Sequence, residues 1–181
     1  TTSQGPNRDC PAEAKLLSDA NTKAALTSYV QTLQPNGSTL HDSGMYWGIS
    51  VISPSAPFAH PTKYNGQDVR KFMIFMTDGE MNADEGGYTL YGREDRELRV
   101  QTSRNGGAAD DEHTKRFDLM CAYAKANGID ISTVIFGLPM TTSMRNCASK
   151  PEQAYEVTTS DELTERFRKI AEDIGYLRLT L

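Results

Sequence analysis

The sequence contains little cysteine, little histidine and no long apolar run, and each of these shortages argues against particular classes of protein. No hydrophobic stretch approaches the roughly 18 residues that span a bilayer. Three histidines, at 41, 60 and 113, occur without a Gly-x-Ser-x-Gly elbow, a phosphate-binding glycine loop or a His-Glu-x-x-His motif. Acidic residues outnumber basic ones by 24 to 19, for a net charge of −5, which disfavours a nucleic acid partner because phosphates are bound by clustered Lys and Arg. We therefore expect a protein that is not an enzyme and that does not bind nucleic acid.

The three cysteines, Cys10, Cys121 and Cys147, are too far apart in the sequence for a Cys-x-x-Cys metal site. One disulfide and one remaining thiol would fit an exported protein. Three buried, reduced thiols fit the same residues equally well. The cysteines alone leave these alternatives open.

Apolar runs and helical periodicities alternate in the second half of the chain. A continuous apolar run at Phe72–Met76 and a mainly apolar run at Ile129–Phe136 are typical of parallel strands buried on both faces. An amphipathic helix is predicted over 117–127, a third strand over 154–157, and a final helix from Asp161. This alternation predicts an α/β fold, an open and mostly parallel sheet with helices on both faces.

The remaining segments fit one domain over residues 1–181. A helix is predicted over 43–52, and its glycines, Gly44 and Gly48, would allow close packing on the sheet. The charged, glycine-rich segment at about 81–113 shows no clear periodicity, so we interpret it as a long surface insertion.

The candidate chemistry lies where the first apolar strand ends. In open parallel sheets, functional groups gather outside the carboxyl ends of the strands, which is where Asp78 follows Thr77. A carboxylate before a glycine, Gly79, suits a hard-cation ligand or an acid/base residue, although a capping Asp in a turn explains the same residues. Thr39, in a loop just before the helix over 43–52, is placed to offer its hydroxyl beside that strand end.

These two elements, a Gly-Ser-Thr loop before a helix and a hydrophobic strand ending in Thr-Asp-Gly, resemble two elements of the metal-ion-dependent adhesion site of von Willebrand factor type A domains. The resemblance implies a Rossmann-like type A fold. It implies that Thr39 and Asp78 would coordinate Mg²⁺ or Mn²⁺ in a complete domain. The surrounding site loops would contain Ser38, Asp42, Gly79 and Glu80.

A finer resemblance, over nearly the whole chain, is to TadG-type proteins of the tight-adherence (Flp) pilus system. The shared stretches are Cys10-Pro11, Gly44 to Gly48 running into Ser53-Pro54, Lys71 to Glu80, Ala124 to Ile129, Asn146 to Ser149, and Tyr176 to Leu179. The resemblance implies a non-enzymatic interaction or adhesion module that acts in assembly or anchoring of a pilus or secretion complex through protein partners. It further implies a periplasmic or cell-envelope location in a membrane-anchored bacterial parent, and a Cys121–Cys147 disulfide. Cys10 would be left free or paired upstream.

One departure from the family pattern limits what the site can bind. The Asp-x-Ser-x-Ser motif that supplies most ligands is absent, and the nearest string, 130–134, fails at its last position. The resemblance implies that this motif, with the first strand and helix, precedes residue 1. Because Mg²⁺ demands near-octahedral oxygen ligation, we expect no tight metal site here. We also expect self-association through the open sheet edge left by the missing strand.

Two other functions remain open. A scaffold could bind partners without metal through the charged insertion, although mixed runs such as Arg93 to Glu97 are usually solvated helical faces. A hydrolase could use Asp78, Glu80 and His41 as acid/base groups, although His41 as a solvated or capping residue explains its position more simply.

Overall fold

A computed structural model describes residues 12–16, 22–55, 57–83, 86–100 and 109–179, and the side chains of the last helix up to residue 175. The helices are α1 Lys23–Val30, α2 His41–Val51, α3 Glu94–Glu97, α4 Ala109–Ala126, α5 Thr142–Cys147 and α6 Ser160–Leu179, with a 3₁₀ turn at Pro151–Gln153. The strands are β1 Lys63–Tyr64, β2 Gln67–Asp68, β3 Lys71–Thr77, β4 Tyr88–Thr89, β5 Gly92–Arg93, β6 Ile129–Phe136 and β7 Ala154–Val157. No described helix is long and apolar enough to cross a membrane.

The central sheet is parallel and three-stranded, in the order β3-β6-β7. Lys71 lies opposite Ile129 and Thr77 opposite Ile135, so β3 and β6 are paired along the whole of β3. The shorter β7 pairs with the second half of β6. The described part of the chain therefore confirms the predicted α/β architecture of a parallel sheet flanked by helices.

Apolar side chains cover the two faces of the sheet with different helices. On one face, Ile131 and Ile135 of β6 pack with Phe117 of α4 and Met45 of α2, all at most 1% exposed. Burial of each such side chain stabilises the fold by about 1.5–3 kcal/mol. On the other face, Val134 and the side chains of β7 pack against α6. The expected helices on both faces are present.

Glycines bring α2 close to β3, as expected. A Cβ on Gly44 would lie 3.5 Å from Cε2 of Phe75, and one on Gly48 would lie 3.1 Å from Cε of Met73. Helix α2 also begins earlier than predicted, at His41, since Asp42 in its first turn complements the helix dipole.

The segment 81–113 differs from the expected featureless surface insertion. It contains the β4–β5 hairpin, α3 and the start of α4, which begins at Ala109. Glu94 and His113 in this segment are 1% and 0% exposed. Acidic residues dominate the first turn of α4, where they favour the helix N-terminus without adding apolar periodicity. Part of the segment is therefore buried, although its many charged residues predict exposure to solvent.

A disulfide joins Cys121 of α4 to Cys147 of α5. Both residues are at most 2% exposed, and the pairing is the one that the sequence resemblance implied. Cys10 lies outside the described residues. The bond ties the main helix of one face to the segment that follows β6.

Candidate functional site

An open polar groove of about 580 Å³ lies at the carboxyl end of β3, beside the residues that follow β6. It is lined by Gly37, Ser38, Thr39, Asp78, Gly79, Glu80, Met81, Asn82, Asp110 and Leu138. The structure thus brings together five of the predicted site residues, which are Ser38, Thr39, Asp78, Gly79 and Glu80. It adds Asp110, and no Lys or Arg belongs to this described lining.

Backbone pairing holds Thr39 beside the strand end. Thr39 and Asn82 form an isolated antiparallel bridge with N–H···O distances of 3.0 and 2.9 Å. The Thr39 side chain lies against Gly79, since a Cβ at position 79 would be 3.1 Å from Thr39 Oγ1. Glycine at the third position of Thr-Asp-Gly therefore lets the Thr39 side chain lie close to the turn, where a Cβ would be tightly placed.

His41 fixes the turn that presents Asp78. Its Nε2 lies 3.1 Å from both Thr77 Oγ1 and the Gly79 carbonyl oxygen. Because a carbonyl only accepts, Nε2 carries the proton in this arrangement. The ring packs between Phe75 and Phe117, and burial lowers the pKa of His41 although the Gly79 carbonyl and Asp42 oppose that shift. His41 is thus a buried anchor and not the solvated residue that the sequence favoured.

Asp110 reaches the groove from the first turn of α4. Its Oδ1 accepts a hydrogen bond of 2.6 Å from the backbone N–H of Ala83. The contact ties the segment after Thr77-Asp78-Gly79 to α4. Together with the exposed carboxylates of Asp78 and Glu80, it makes the groove acidic.

Asp42, predicted to belong to the site loops, lies elsewhere. Its carboxylate is fully buried; Oδ1 accepts from the backbone N–H of Ser43, and Oδ2 lies 2.8 Å from His113 Nδ1. Asp42 does not line the groove, because its side chain in the first turn of α2 is directed toward His113 of α4. Of the residues that the resemblance placed in the site loops, Asp42 therefore lies apart from the groove.

Asp42 belongs to an interior polar cluster, which we define as Asp42, Tyr91, Glu94, His113 and Arg116. His113 Nε2 lies 3.6 Å from Glu94 Oε1, and that oxygen accepts a 2.9 Å hydrogen bond from the Thr89 hydroxyl. The Arg116 guanidinium lies over the Tyr91 ring at 4.3 Å. Burial raises the pKa of Tyr91, with a further contribution from the charge of Asp42.

The interior polar cluster joins three elements that are distant in sequence. Asp42 comes from α2, Glu94 from the hairpin and α3 region, and His113 from α4. Glu94 Oε2, His113 Nε2 and Arg116 Nε have no hydrogen-bond partner among the described residues. Such groups are costly to bury, and the contacts of His113 with Asp42 and Glu94 connect the 86–100 segment to α4 and α2.

The two residues that the resemblance assigned to Mg²⁺ or Mn²⁺, Thr39 and Asp78, both line the groove. Thr39 and Asp78 supply one neutral oxygen and one carboxylate, whereas Mg²⁺ requires near-octahedral oxygen ligation. Within the described ranges, no group of three His, Cys, Asp or Glu residues is placed to hold a metal ion. The expected absence of a tight metal site in this chain stays a prediction.

Comparison with known proteins adds a fold relationship. No protein-family model matches the chain, and no curated protein matches it. Among solved structures, the chain is similar to proximal thread matrix protein 1 from the mussel byssus, with 18% identity and a TM-score of 0.53. The match covers 86% of this chain and 32% of that protein's chain, so this chain spans about a third of its length. At this identity the likeness shows a shared fold and nothing about function.

Proposed function

We propose that this chain is a non-enzymatic protein-interaction module whose contact face is the acidic groove at the carboxyl end of β3. The observation that carries the proposal is the convergence of Asp78, Glu80 and Asp110 with Thr39 in one open depression whose described lining includes no basic residue. Such a surface fits a basic side chain of a partner protein, since opposite charges steer and orient association. The groove is a remnant of a metal-dependent adhesion site that contacts its partner directly.

The setting we propose is assembly or anchoring of a pilus or secretion complex on the periplasmic or cell-envelope side of a bacterial membrane. It rests on the order and spacing of the motifs shared with TadG-type proteins. The buried Cys121–Cys147 disulfide supports an oxidising compartment, because disulfides persist mainly in exported proteins.

Two observations favour partner binding at the groove over partner binding at the charged insertion and over hydrolysis. In the insertion, Arg93 pairs with Asp95 at 2.7 Å and Arg99 with Glu97 at 2.6 Å, so these charges satisfy one another. His41, the base that a hydrolase would need, donates to the Gly79 carbonyl from inside the core. Neither arrangement supports partner binding through the insertion or acid/base catalysis in the groove.

A peptide titration tests the contact face. A short arginine-rich peptide should bind, and Asp78→Asn combined with Glu80→Gln should weaken that binding by about tenfold, or about 1.4 kcal/mol. The matched control is Glu165→Gln combined with Glu172→Gln, which removes the same charge from the exposed face of α6. Equal weakening by both pairs would mean that only net charge matters and would refute the groove as the contact face.

A cation titration tests the claim that the groove contacts its partner without a metal. We expect calorimetry with Mg²⁺ or Mn²⁺ to show no saturable binding and no rise in melting temperature, in the wild type or in Asp78→Ala. Saturable binding with stabilisation, lost in Asp78→Ala, would show that the adhesion site is functional here and that our ligand argument is wrong.

A further inference from the structure

The interior polar cluster is a buried titratable group of residues that the proposed function leaves unused. Its central residue, His113, is 0% exposed, and the carboxylates on either side, Asp42 and Glu94, are 0% and 1% exposed. Because these groups lie inside the protein, their contacts with one another do not depend on which outer surfaces are covered. A change in the protonation of any one of them must be met by the others.

The two ring nitrogens of His113 face two different carboxylates. Nδ1 lies 2.8 Å from Asp42 Oδ2, and since a carboxylate only accepts, Nδ1 donates the proton there. Nε2 lies 3.6 Å from Glu94 Oε1 and makes no hydrogen bond within the described part of the chain. A neutral ring with its proton on Nδ1 therefore turns a bare nitrogen toward an ionised carboxylate, so that one acceptor meets another.

The surrounding groups leave this contact short of positive charge. The charged and titratable residues described around His113 are Asp42 from α2, Tyr91 from the β4–β5 hairpin, Glu94 from α3 and Arg116 from α4. Burial raises the pKa of Tyr91, which keeps this phenol uncharged. Two carboxylates therefore outweigh one guanidinium, and a second proton on the histidine ring would make the cluster neutral, the form that burial favours.

We propose that His113 and Glu94 form a proton-operated latch that holds the 86–100 segment on α2 and α4. With a proton on both ring nitrogens, His113 donates to Asp42 and to Glu94 at once, through charge-assisted hydrogen bonds. When the Nε2 proton leaves to solvent water, the bond to Glu94 is lost and the bond to Asp42 remains. The latch is therefore closed on the acidic side of the titration and opens as the pH rises.

The 86–100 segment is built to open locally. Each strand of its hairpin has two residues, and α3 has four, so the segment has little regular structure of its own. Glu94 Oε1 also accepts a 2.9 Å hydrogen bond from the Thr89 hydroxyl, which connects the latch to the hairpin. Such segments open with a free energy well below that of global unfolding. Loss of the bond between His113 and Glu94 should thus loosen 86–100 while the sheet stays folded.

Hydrogen exchange of the wild-type chain tests the latch at about pH 6 and about pH 8.5, on either side of the range in which histidine ordinarily titrates. After correction for the intrinsic effect of pH, the backbone amides of 86–100 should lose protection by about tenfold at the higher pH. The amides of β6, which report global unfolding, should not lose protection. Unchanged protection in 86–100, or an equal fall in β6, would overturn the proposal.

Glu94→Gln separates the latch from other effects of pH. The amide nitrogen can donate to the bare Nε2 of His113, so this contact no longer needs the second ring proton. Thr89 Oγ1 also lies 3.1 Å from the Gly92 carbonyl oxygen, to which it can donate while it accepts from the amide. We therefore expect 86–100 to keep its protection at both pH values in this variant.

Glu97→Gln is the matched control, because it removes the same charge from the same short helix at a position outside the interior polar cluster. It should keep the wild-type response of 86–100 to pH. Circular dichroism verifies that both variants are folded at each pH. A folded Glu94→Gln chain that responds as Glu97→Gln does would show that Glu94 is not part of a latch.

Nitrogen NMR of the wild type identifies the titrating ring without any substitution. Both nitrogens of His113 should carry a proton at about pH 6, and only Nδ1 at about pH 8.5, in step with the loss of protection in 86–100. His41 is the internal reference, since its hydrogen bond to Gly79 keeps the proton on Nε2, the opposite tautomer. A His113 ring with the same protonation at both pH values, or one that titrates without any change in exchange, would overturn the proposal. None of these readouts depends on what the groove binds.

Discussion

Replacing His113 by alanine should be among the most destabilising single changes in this chain. His113 is fully buried, lies 2.8 Å from Asp42 and 3.6 Å from Glu94, and both carboxylates are at most 1% exposed. Removing it leaves two buried acidic groups without the group between them. Emptying the space of a fully buried ring and removing the hydrogen-bond partner of a buried carboxylate together cost about 3–5 kcal/mol.

For a chain of this length, 1 kcal/mol corresponds to about 2–4 °C in melting temperature. His113→Ala should therefore lower the melting temperature by about 6–20 °C, as measured by circular dichroism at neutral pH. His60→Ala is the matched control, since His60 is half-buried and lies outside the interior polar cluster. Asp42→Asn in the His113→Ala background should recover part of the loss, because it replaces the buried carboxyl group whose Oδ2 has lost its partner His113.

A loss below about 1 kcal/mol in His113→Ala would refute this reasoning. It would mean that the two carboxylates take up protons or reach solvent at little cost. The 86–100 segment would then be held by its hairpin alone, and the interior polar cluster would not specify its position.

Three further outcomes follow from the same structure. Loss of the disulfide in Cys121→Ala combined with Cys147→Ala should cost about 3.5 kcal/mol for a separation of 26 residues, measured from the chemical denaturation curves of the two proteins. Burial lowers the pKa of His41 from 6.5. The neutral His41 side chain therefore contributes its full stabilisation above that pH and less stabilisation below it. As the pH falls from about 7.5 to about 5.5, His41→Gln should lose less stability than the wild type. Gly79→Ala should cost about 1–3 kcal/mol in thermal unfolding by forcing Thr39 away, and an unchanged melting temperature would show that the loop moves freely.

The sheet could be predicted from the sequence because its strand segments are rich in apolar residues, most clearly at Phe72–Met76. β6 and β7 have the predicted bounds, and β3 differs by single residues at its ends. The position of the groove could be predicted from the same strands, since polar groups meet at the carboxyl end of a buried parallel strand. Asp78 and Thr39 could be placed there without any structure.

The interior polar cluster could not be predicted in this way. His113 and Glu94 stand in a charged segment whose composition indicates solvent exposure, and only a partner 71 positions away, Asp42, makes His113 a buried residue. Asp110 could not be predicted as a residue of the groove for a similar reason. It lies in the first turn of a helix, and that turn is acidic and has little apolar periodicity. Polar groups that are buried by pairing leave no periodic signal in a single sequence.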